Sequence, residues 1–199
     1  VQEIEAAGGQ AIAVEADVTS LEAMQAAAQL AKDTYGSLDV WVNNAGVMPL
    51  SSVESNRIED WHWMVDVNIK GVLNGVAAAQ PIMRVQGAGH FINVSSVAGH
   101  HVYAGCAVYC ATKFAVRAFG EGMRMESDGS IRVTNISPGA VKSELADHIP
   151  APEIKEAFKP VLDIAIDADA IGNAIHYAIS QPPDVDINEV IIRPSKQPL

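Results

Sequence analysis

The amino-acid sequence predicts an α/β protein, in which a doubly wound parallel β-sheet carries helices on both faces. Short apolar runs alternate along the chain with longer helical stretches, which is the pattern of βαβ units. One of these runs, Leu38–Val42, is largely apolar, as expected of a strand that is covered on both sides. Right-handed crossovers between parallel strands then place helices on both faces of the sheet.

The first predicted elements are the end of a helix and a strand. Gln2–Ala7 is typical of the last turns of a helix, and Gly8 and Gly9 supply the usual C-terminal stop. Ala11–Ala16 is a candidate strand. Because Val1 is not a methionine and the chain starts within a helix, we expect that an upstream segment is missing from this sequence.

A helix and a second strand follow. Thr19 or Ser20 can cap a helix over about Leu21–Tyr35, since a side-chain oxygen at this position accepts a hydrogen bond from the first turn. Gly36 is expected to end this helix. Leu38–Val42 forms the next strand and leads into a run of small and amide residues.

The middle of the chain is predicted to contain two long helices with one strand between them. The first helix extends over about Ile58–Val85 and is broken by Gly87–Gly89. His90–Val94 is the strand, and the loop Ser95–Gly105 connects it to the second helix, about Ala107–Ser127.

The last part of the chain repeats the alternation. Ile131–Ile136 is predicted to be a strand, and a short helix over Glu153–Phe158 lies in a proline-containing stretch. Ala168–Ser180 is predicted to be helical, and Glu189–Arg193 is the last strand. No internal repeat, low-complexity tract or linker divides the sequence, so we expect residues 1–199 to form a single domain.

The composition excludes several classes of function. There are 13 Lys and Arg residues against 24 Asp and Glu residues, and a net charge of -11 disfavours a nucleic-acid partner. Hydrophobic residues make up 49% of the chain, which favours a packed core over disorder, and no apolar run reaches the roughly 20 residues of a membrane span. The two cysteines, Cys106 and Cys110, provide neither a disulfide framework nor enough ligands for a metal, so we predict no metal and a reducing, cytoplasmic location.

Unusual residues follow four of the predicted strands. Asp17 follows the first strand, Asn43–Gly46 the second, Ser95 and Ser96 the third, and Pro138-Gly139 the fourth. The carboxyl ends of parallel strands meet at one edge of the sheet, where such folds bind their ligands. The clustering therefore predicts a binding site at this edge.

Tyr109 and Lys113 are candidates for acid/base chemistry. They lie four residues apart near the start of a predicted helix, which places them on one face about one turn apart. An ammonium group beside a phenol favours the phenolate, so Lys113 is expected to lower the pKa of Tyr109. A tyrosine tuned in this way can act as a general acid or base. Taken alone, the same spacing also fits an exposed tyrosine and a solvated lysine on an amphipathic helix.

Ser96 and Asn68 are two further candidates. Ser96 lies thirteen residues before Tyr109, and its hydroxyl could bind a substrate oxygen or simply cap a turn. Asn68 lies within a predicted helix, where asparagine is unfavourable because its side chain competes for backbone groups. Asn68 therefore indicates either a kink, a buried amide or a functional role.

Taken together, these residues resemble the short-chain dehydrogenase/reductase family. The resemblance covers nearly the whole chain, and it rests on motifs that occur in order: Asp17 in the run Asp-Val-Thr, Asn43-Asn44-Ala45-Gly46, Asn68, Ser96, Tyr109-x-x-x-Lys113, and Pro138-Gly139-x-Val141 followed by Ser143. The run Asn188–Pro194 is also similar to a branch of NADP-dependent hydroxy-acid and related alcohol dehydrogenases.

The resemblance implies a Rossmann-type fold and a role for each matching residue. Tyr109 would exchange a proton with the substrate oxygen, Ser96 would hold that oxygen, Lys113 would bind the nicotinamide ribose, and Asn68 would position a water molecule. The remaining matches would bind NADP, or alternatively NAD: Asp17, Val18, Asn43, Ala45 and Gly46 on the adenosine side, and Pro138, Gly139, Val141 and Ser143 around the nicotinamide.

The resemblance also implies a departure at the beginning of the chain. The family starts with a strand, a glycine-rich turn that holds the pyrophosphate, a helix and a second strand. Gly8-Gly9 does not replace that turn, because it follows a helix and precedes a strand. We therefore expect an incomplete dinucleotide-binding domain over residues 1–199, without the residues that choose between NAD and NADP.

The resemblance implies an NAD(P)-dependent oxidoreductase that interconverts a secondary alcohol and a ketone. One alternative is an epimerase or dehydratase of the same fold, and another is a dinucleotide sensor without activity. The implied partners are a small-molecule substrate and a second copy of the chain, in a homodimer or homotetramer. His100–Tyr103 could border the substrate pocket or form a plain surface loop, and Ala140–Pro160 could form a lid.

Overall fold

Four parallel strands form one sheet within residues 1–198, which are the residues that the computed structural model describes. The strands are β1 (Val40–Asn43), β2 (Gly89–Val94), β3 (Ile131–Pro138) and β4 (Glu189–Ile192), and they lie side by side in that order. The carboxyl ends of β1, β2 and β3 therefore meet at one edge of the sheet.

Seven α-helices lie within the same described residues. They are α1 (Gln2–Ala6), α2 (Leu21–Tyr35), α3 (Ile58–Val65), α4 (Gly71–Gln86), α5 (Ala107–Glu126), α6 (Pro152–Asp163) and α7 (Asp169–Ile179). The Ser20 side chain caps α2 by accepting a hydrogen bond of 3.2 Å from the Ala23 amide, and Gly36 ends α2 with a φ of 89°. The predicted α/β, Rossmann-type class is confirmed.

Both faces of the central strands β2 and β3 are buried. Phe91 of β2 and Val133 of β3 pack into one core cluster together with α2 and α4. Their neighbours on the opposite face, Ile92 and Ile136, pack against α7 through Ile171. Alternate residues of β2 and β3 thus enter two different cores.

The long helix predicted over Ile58–Val85 is interrupted by a single π-helical turn. α3 ends at Val65, the π-turn covers Asp66–Lys70, and α4 begins at Gly71. Asn68 lies in the middle of this turn and is fully buried. The unfavourable mid-helix asparagine therefore marks a real irregularity, as π-turns often mark functional positions.

The strand predicted over Ala11–Ala16 is wrong. This segment connects α1 to α2 without strand pairing, and Ile12 and Val14 are 48% and 56% exposed. A strand is stabilised by a neighbour that pairs with its backbone, and none of the four described strands lies beside this segment. The apolar residues are therefore in the expected place in the sequence but outside the sheet.

Gly75 of α4 allows the helix to approach β1 closely. A Cβ atom at this position would lie 2.2 Å from Asn43 Oδ1 and 2.6 Å from Trp41 Nε1. The Gly75→Ala variant should therefore lower the free energy of unfolding by about 1–3 kcal/mol, because the strain exceeds the gain in helix propensity. Gly172→Ala in α7 is the control, since a Cβ there has no neighbour within 4 Å, and it should raise stability by about 0.5–1 kcal/mol. Urea denaturation of both variants measures the difference, and equal effects would contradict the close approach.

Candidate active site

A cavity of about 860 Å³ opens at the carboxyl edge of the sheet. The segments that follow β1, β2 and β3 form one side of it, and the start of α5 and the inner face of α6 form the other. Nine of the residues predicted from the sequence line this cavity: Ala45, Gly46, Ser96, Tyr109, Lys113, Pro138, Gly139, Val141 and Ser143.

Tyr109 and Lys113 lie together on the wall of the cavity. Both residues are in the first two turns of α5, and their side chains are almost completely buried, at 6% and 5% exposure. Lys113 Nζ lies 5.8 Å from the centre of the Tyr109 ring and donates a hydrogen bond of 3.0 Å to the Val94 carbonyl oxygen. The pair is therefore not a solvated surface pair.

Burial dominates the titration of both groups. It raises the pKa of Tyr109 to about 12, against the smaller opposite effect of the Ser96 hydroxyl, which can hydrogen-bond the phenolate. It also lowers the pKa of Lys113 to about 8. The expected lowering of the Tyr109 pKa is not found, because the loss of water around the phenolate is the largest influence on this group.

Ser96 follows β2 and faces the same cavity. Its hydroxyl accepts a hydrogen bond of 3.1 Å from the Ala98 amide, and it donates one of 3.4 Å to the Pro138 carbonyl oxygen. The first bond caps the 3-10 turn Val97–Gly99. The capping role and the position beside Tyr109 are therefore both present, and the cap fixes where the hydroxyl lies.

Asn68 lies behind the cavity and connects three elements. Its Oδ1 accepts a hydrogen bond of 2.8 Å from the Val47 amide, and its Nδ2 donates to the Val47 carbonyl oxygen at 2.9 Å and to Thr112 Oγ1 at 3.1 Å. Thr112 Oγ1 in turn donates to the Tyr109 carbonyl oxygen at 2.8 Å. Asn68 therefore fixes the segment after β1 against the part of α5 that carries Tyr109.

Three residues predicted for the adenosine side lie away from this cavity. Asp17 is exposed, and the hydrogen bond that its carboxylate accepts from the Thr19 amide lowers its pKa. Asn43 is buried, donates to Asn93 Oδ1 at 2.8 Å and, with Val18, lines a separate small recess of about 110 Å³. The structure therefore does not bring Asp17, Val18 and Asn43 to the wall that carries Tyr109.

The cavity fits the nicotinamide end of a dinucleotide. A Cβ at Gly46 would lie 3.4 Å from Asn68 Oδ1 and 3.6 Å from Lys113 Nζ, so the glycine keeps the space beside the lysine open. The carboxamide of Gln197 accepts a hydrogen bond of 2.8 Å from the Ala140 amide. A nicotinamide carries the same carboxamide group, so the backbone after Pro138-Gly139 presents a donor of the required kind.

One wall of the cavity was not predicted from the sequence. Ile154, Phe158 and Leu162 of α6 line it, although only a short helix was predicted in this region and its contacts were not. Their spacing of four residues is the signal that could have identified an apolar helix face. Within the loop after β2, Tyr103 lines the cavity, but His100 points away from it and contacts Glu189 Oε1 at 3.0 Å.

Residues 1–198 hold no group of three or more His, Cys, Asp or Glu side chains that could bind a metal. No helix in that range is both long and apolar enough to cross a bilayer. Cys106 lines the cavity, and burial raises the pKa of its thiol to about 11, which makes it a weak nucleophile at neutral pH.

Comparison with known proteins identifies the family. The family described as short chain dehydrogenase matches residues 1–154. The chain belongs to the short-chain dehydrogenase family. This short-chain dehydrogenase is therefore an oxidoreductase and an enzyme, as the motifs around Tyr109 and Lys113 predict.

Related sequences and solved structures agree with this family. An uncharacterized oxidoreductase of Staphylococcus saprophyticus is 50% identical over 92% of this chain and 76% of that protein. One of Listeria monocytogenes is 43% identical over 100% of this chain and 82% of that protein. A closed form of serine dehydrogenase with NADP+ is 29% identical, with a TM-score of 0.88 over 100% of this chain and 82% of that one. A short-chain dehydrogenase of Burkholderia phymatum with NAD is 25% identical, with a TM-score of 0.87 over 96% of this chain and 74% of that one.

Proposed function

We propose that this short-chain dehydrogenase interconverts a secondary alcohol and a ketone, with Tyr109 as the proton donor and acceptor. The observation that carries the proposal is the burial of Tyr109 and Lys113 together on the cavity wall, with the Ser96 hydroxyl beside them. Membership of the family supplies the reaction class, and the arrangement of these side chains fits it.

Tyr109 is suited to donate a proton when a ketone is reduced. With a pKa raised to about 12 by burial, its phenol keeps the proton at neutral pH, which is the form that a general acid needs. Ser96 would donate a second hydrogen bond to the same substrate oxygen. In the direction of oxidation Tyr109 must first lose its proton, so we expect oxidation to be favoured by alkaline pH.

We propose NADP, or alternatively NAD, as the coenzyme. The support comes from family membership and from the two structural relatives that hold NADP+ and NAD. When bound, its nicotinamide ring supplies or accepts the hydride. Lys113 would bind the ribose hydroxyls, and Pro138, Gly139, Val141 and Ser143 would surround the nicotinamide.

The residues expected to contact the adenosine half of the coenzyme are not all on the cavity wall. Ala45 and Gly46 line the cavity, and Val18 and Asn43 would contact adenosine along the neighbouring recess. Asp17 is exposed and lines neither space, and its contact with the adenine stays a proposal. We still assign residues 1–199 to a single dinucleotide-binding domain.

The two free cysteines fit a reducing compartment, and the cytoplasm stays our expected location.

A direct spectrophotometric assay tests the proposed reaction. The purified full-length protein is mixed with NADPH or NADH and a panel of ketones, and the loss of reduced nicotinamide absorbance is followed. We expect turnover with at least one ketone and the reverse reaction with the matching alcohol. Saturable coenzyme binding without any hydride transfer to ketones would contradict the proposed activity and favour a sensor.

We also propose a homodimer or homotetramer built on α4 and α5. Both helices expose apolar residues one turn apart: Leu73 and Ala77 on α4, and Phe114 and Ala118 on α5. Such surfaces permit close packing of helices from a second copy. Light scattering at micromolar concentration should give at least twice the mass of one chain, and Phe114→Glu should lower that mass. A monomeric wild-type protein would contradict the proposal.

A further inference from the structure

We propose that the substrate of this site is an uncharged, largely apolar ketone or secondary alcohol that binds beneath α6. The inference rests on the proposed function, because it concerns the part of the cavity that adjoins Tyr109. It goes further by naming the chemical class of the molecule that reaches this residue.

The inner face of α6 forms an apolar wall. Ile154, Phe158 and Leu162 follow one another at intervals of four residues, and all three pack against the core cluster that contains Tyr109. The loop before α5 contacts the same wall, since a Cβ at Gly105 would lie 2.9 Å from Ile154 Cδ1. The space between α6 and Tyr109 is therefore bounded by hydrocarbon rather than by hydrogen-bonding groups.

The facing wall has the same character. Met48 and Leu50, from the segment after β1, and Ala98, from the turn after Ser96, are buried members of the cluster that contains Tyr109. All three line the cavity. A bound molecule would thus meet apolar side chains on two sides, with Ser96 and Tyr109 as the polar groups at one end. This arrangement orients a single oxygen atom in an otherwise apolar ligand.

The charges around the cavity disfavour a substrate carboxylate. Among the described residues that line it, Lys113 is the only lysine or arginine, and its ammonium group already donates to the Val94 carbonyl oxygen. Glu144 is exposed on the lining and would repel an anion, and the His148 ring packs edge-on against Trp63. An anion placed beneath α6 would lose its water without gaining a charged partner, which is unfavourable.

The charged residues of α6 itself face solvent. Glu153, Lys155, Glu156 and Lys159 are all exposed, whereas the three apolar residues of the helix are half-buried over the cavity. The separation of charged residues from apolar residues therefore extends along the whole helix and does not depend on one side chain. The uncharged, apolar substrate proposed here differs from the hydroxy acids that the resemblance of Asn188–Pro194 to hydroxy-acid dehydrogenases implies.

A matched pair of ligands tests the charge preference. At pH 8, where histidines are ordinarily neutral, we compare 2-heptanone with 6-oxoheptanoate, which has the same length and ends in a carboxylate. The methyl ester of 6-oxoheptanoate controls for the size of the end group. Reduction by NADPH should have a kcat/KM at least about 10-fold higher for 2-heptanone and for the ester than for the acid.

A charge introduced on α6 tests the location. In Phe158→Arg the ratio of kcat/KM for 2-heptanone to that for 6-oxoheptanoate should fall, or drop below one, because the new cation can pair with the carboxylate. Glu156→Gln is the matched control, since it makes the helix more positive by the same one charge on its exposed face. It should leave the preference unchanged. If the ratio of kcat/KM for the ketone to that for the acid changes equally in both variants, the ligand does not bind beneath α6.

A binding measurement distinguishes a failure of the proposed ligand class from a failure of the proposed activity. Saturation-transfer NMR of the wild-type protein detects binding of the ketone and of the acid without any turnover. Binding of 2-heptanone without reduction by either coenzyme would overturn the proposed activity and support the ligand class. If the acid binds or reacts as well as the ketone, or if neither compound is bound or reduced, the ligand class is wrong.

Discussion

Replacing Tyr109 with phenylalanine should lower kcat by at least about 10²-fold, which is the lower end of what a positioned acid or base contributes. The change removes only the phenolic oxygen and leaves the ring in its buried position. Folding and coenzyme binding should therefore stay close to those of the wild-type protein. Steady-state kinetics with a ketone that the enzyme reduces, together with a coenzyme titration, measures both effects.

Tyr103 offers a matched control for this variant. It also lines the cavity but is 37% exposed, and it lies outside the pair formed with Lys113. Tyr103→Phe should keep kcat within the same order of magnitude. Wild-type turnover in Tyr109→Phe, or an equal loss in both variants, would remove Tyr109 from the mechanism.

Replacing Lys113 with methionine should have opposite effects on function and on stability. The variant loses the ammonium group that would bind the ribose hydroxyls, so the Kd for the coenzyme should rise about 10- to 100-fold. At the same time, the buried charge disappears. At pH 7 the free energy of unfolding should increase, by about 3 kcal/mol at most.

The pH dependence of this gain follows from the pKa of Lys113. Burial lowers that pKa from 10.5 to about 8, so between these values the unfolded chain binds a proton that the folded chain has lost. Wild-type stability should therefore rise with pH across this window, and the advantage of Lys113→Met should shrink. Urea denaturation at pH 7 and at about pH 9.5 measures the change, with Lys159→Met as the exposed control. A methionine variant that is less stable at pH 7 would show that the buried charge does not cost stability.

Much of the site could be predicted because it depends on topology. Ser96 and Pro138 are far apart in the sequence, but both come at the carboxyl ends of adjacent parallel strands, which places them side by side. Asn68 could be singled out because its residue type disagrees with a regular helix. These predictions needed only the order of the elements and the preferences of single residues.

Other features depend on contacts that no short segment specifies. The pKa of Tyr109 depends on how completely the surrounding chain removes water from its oxygen, and the sequence shows only the neighbouring lysine. The strand over Ala11–Ala16 fails because a strand needs a partner, which its own residues do not reveal. The place of Phe158 on the cavity wall depends on how α6 packs over the cavity, which the residues of α6 alone do not specify.

The π-turn at Asp66–Lys70 divides one long helix between two tasks. Before the turn, Met64 and Trp61 of α3 pack into the cluster that holds Tyr109, whereas after it Val76 and Met83 of α4 pack into the core of the sheet. A continuous α-helix would keep a single phase along its length, and the wider turn changes that phase between the halves. Sequence change in α3 can therefore reshape the ligand cavity while α4 keeps the sheet intact. Substitutions that affect specificity and substitutions that affect folding are therefore expected in different halves of this helix.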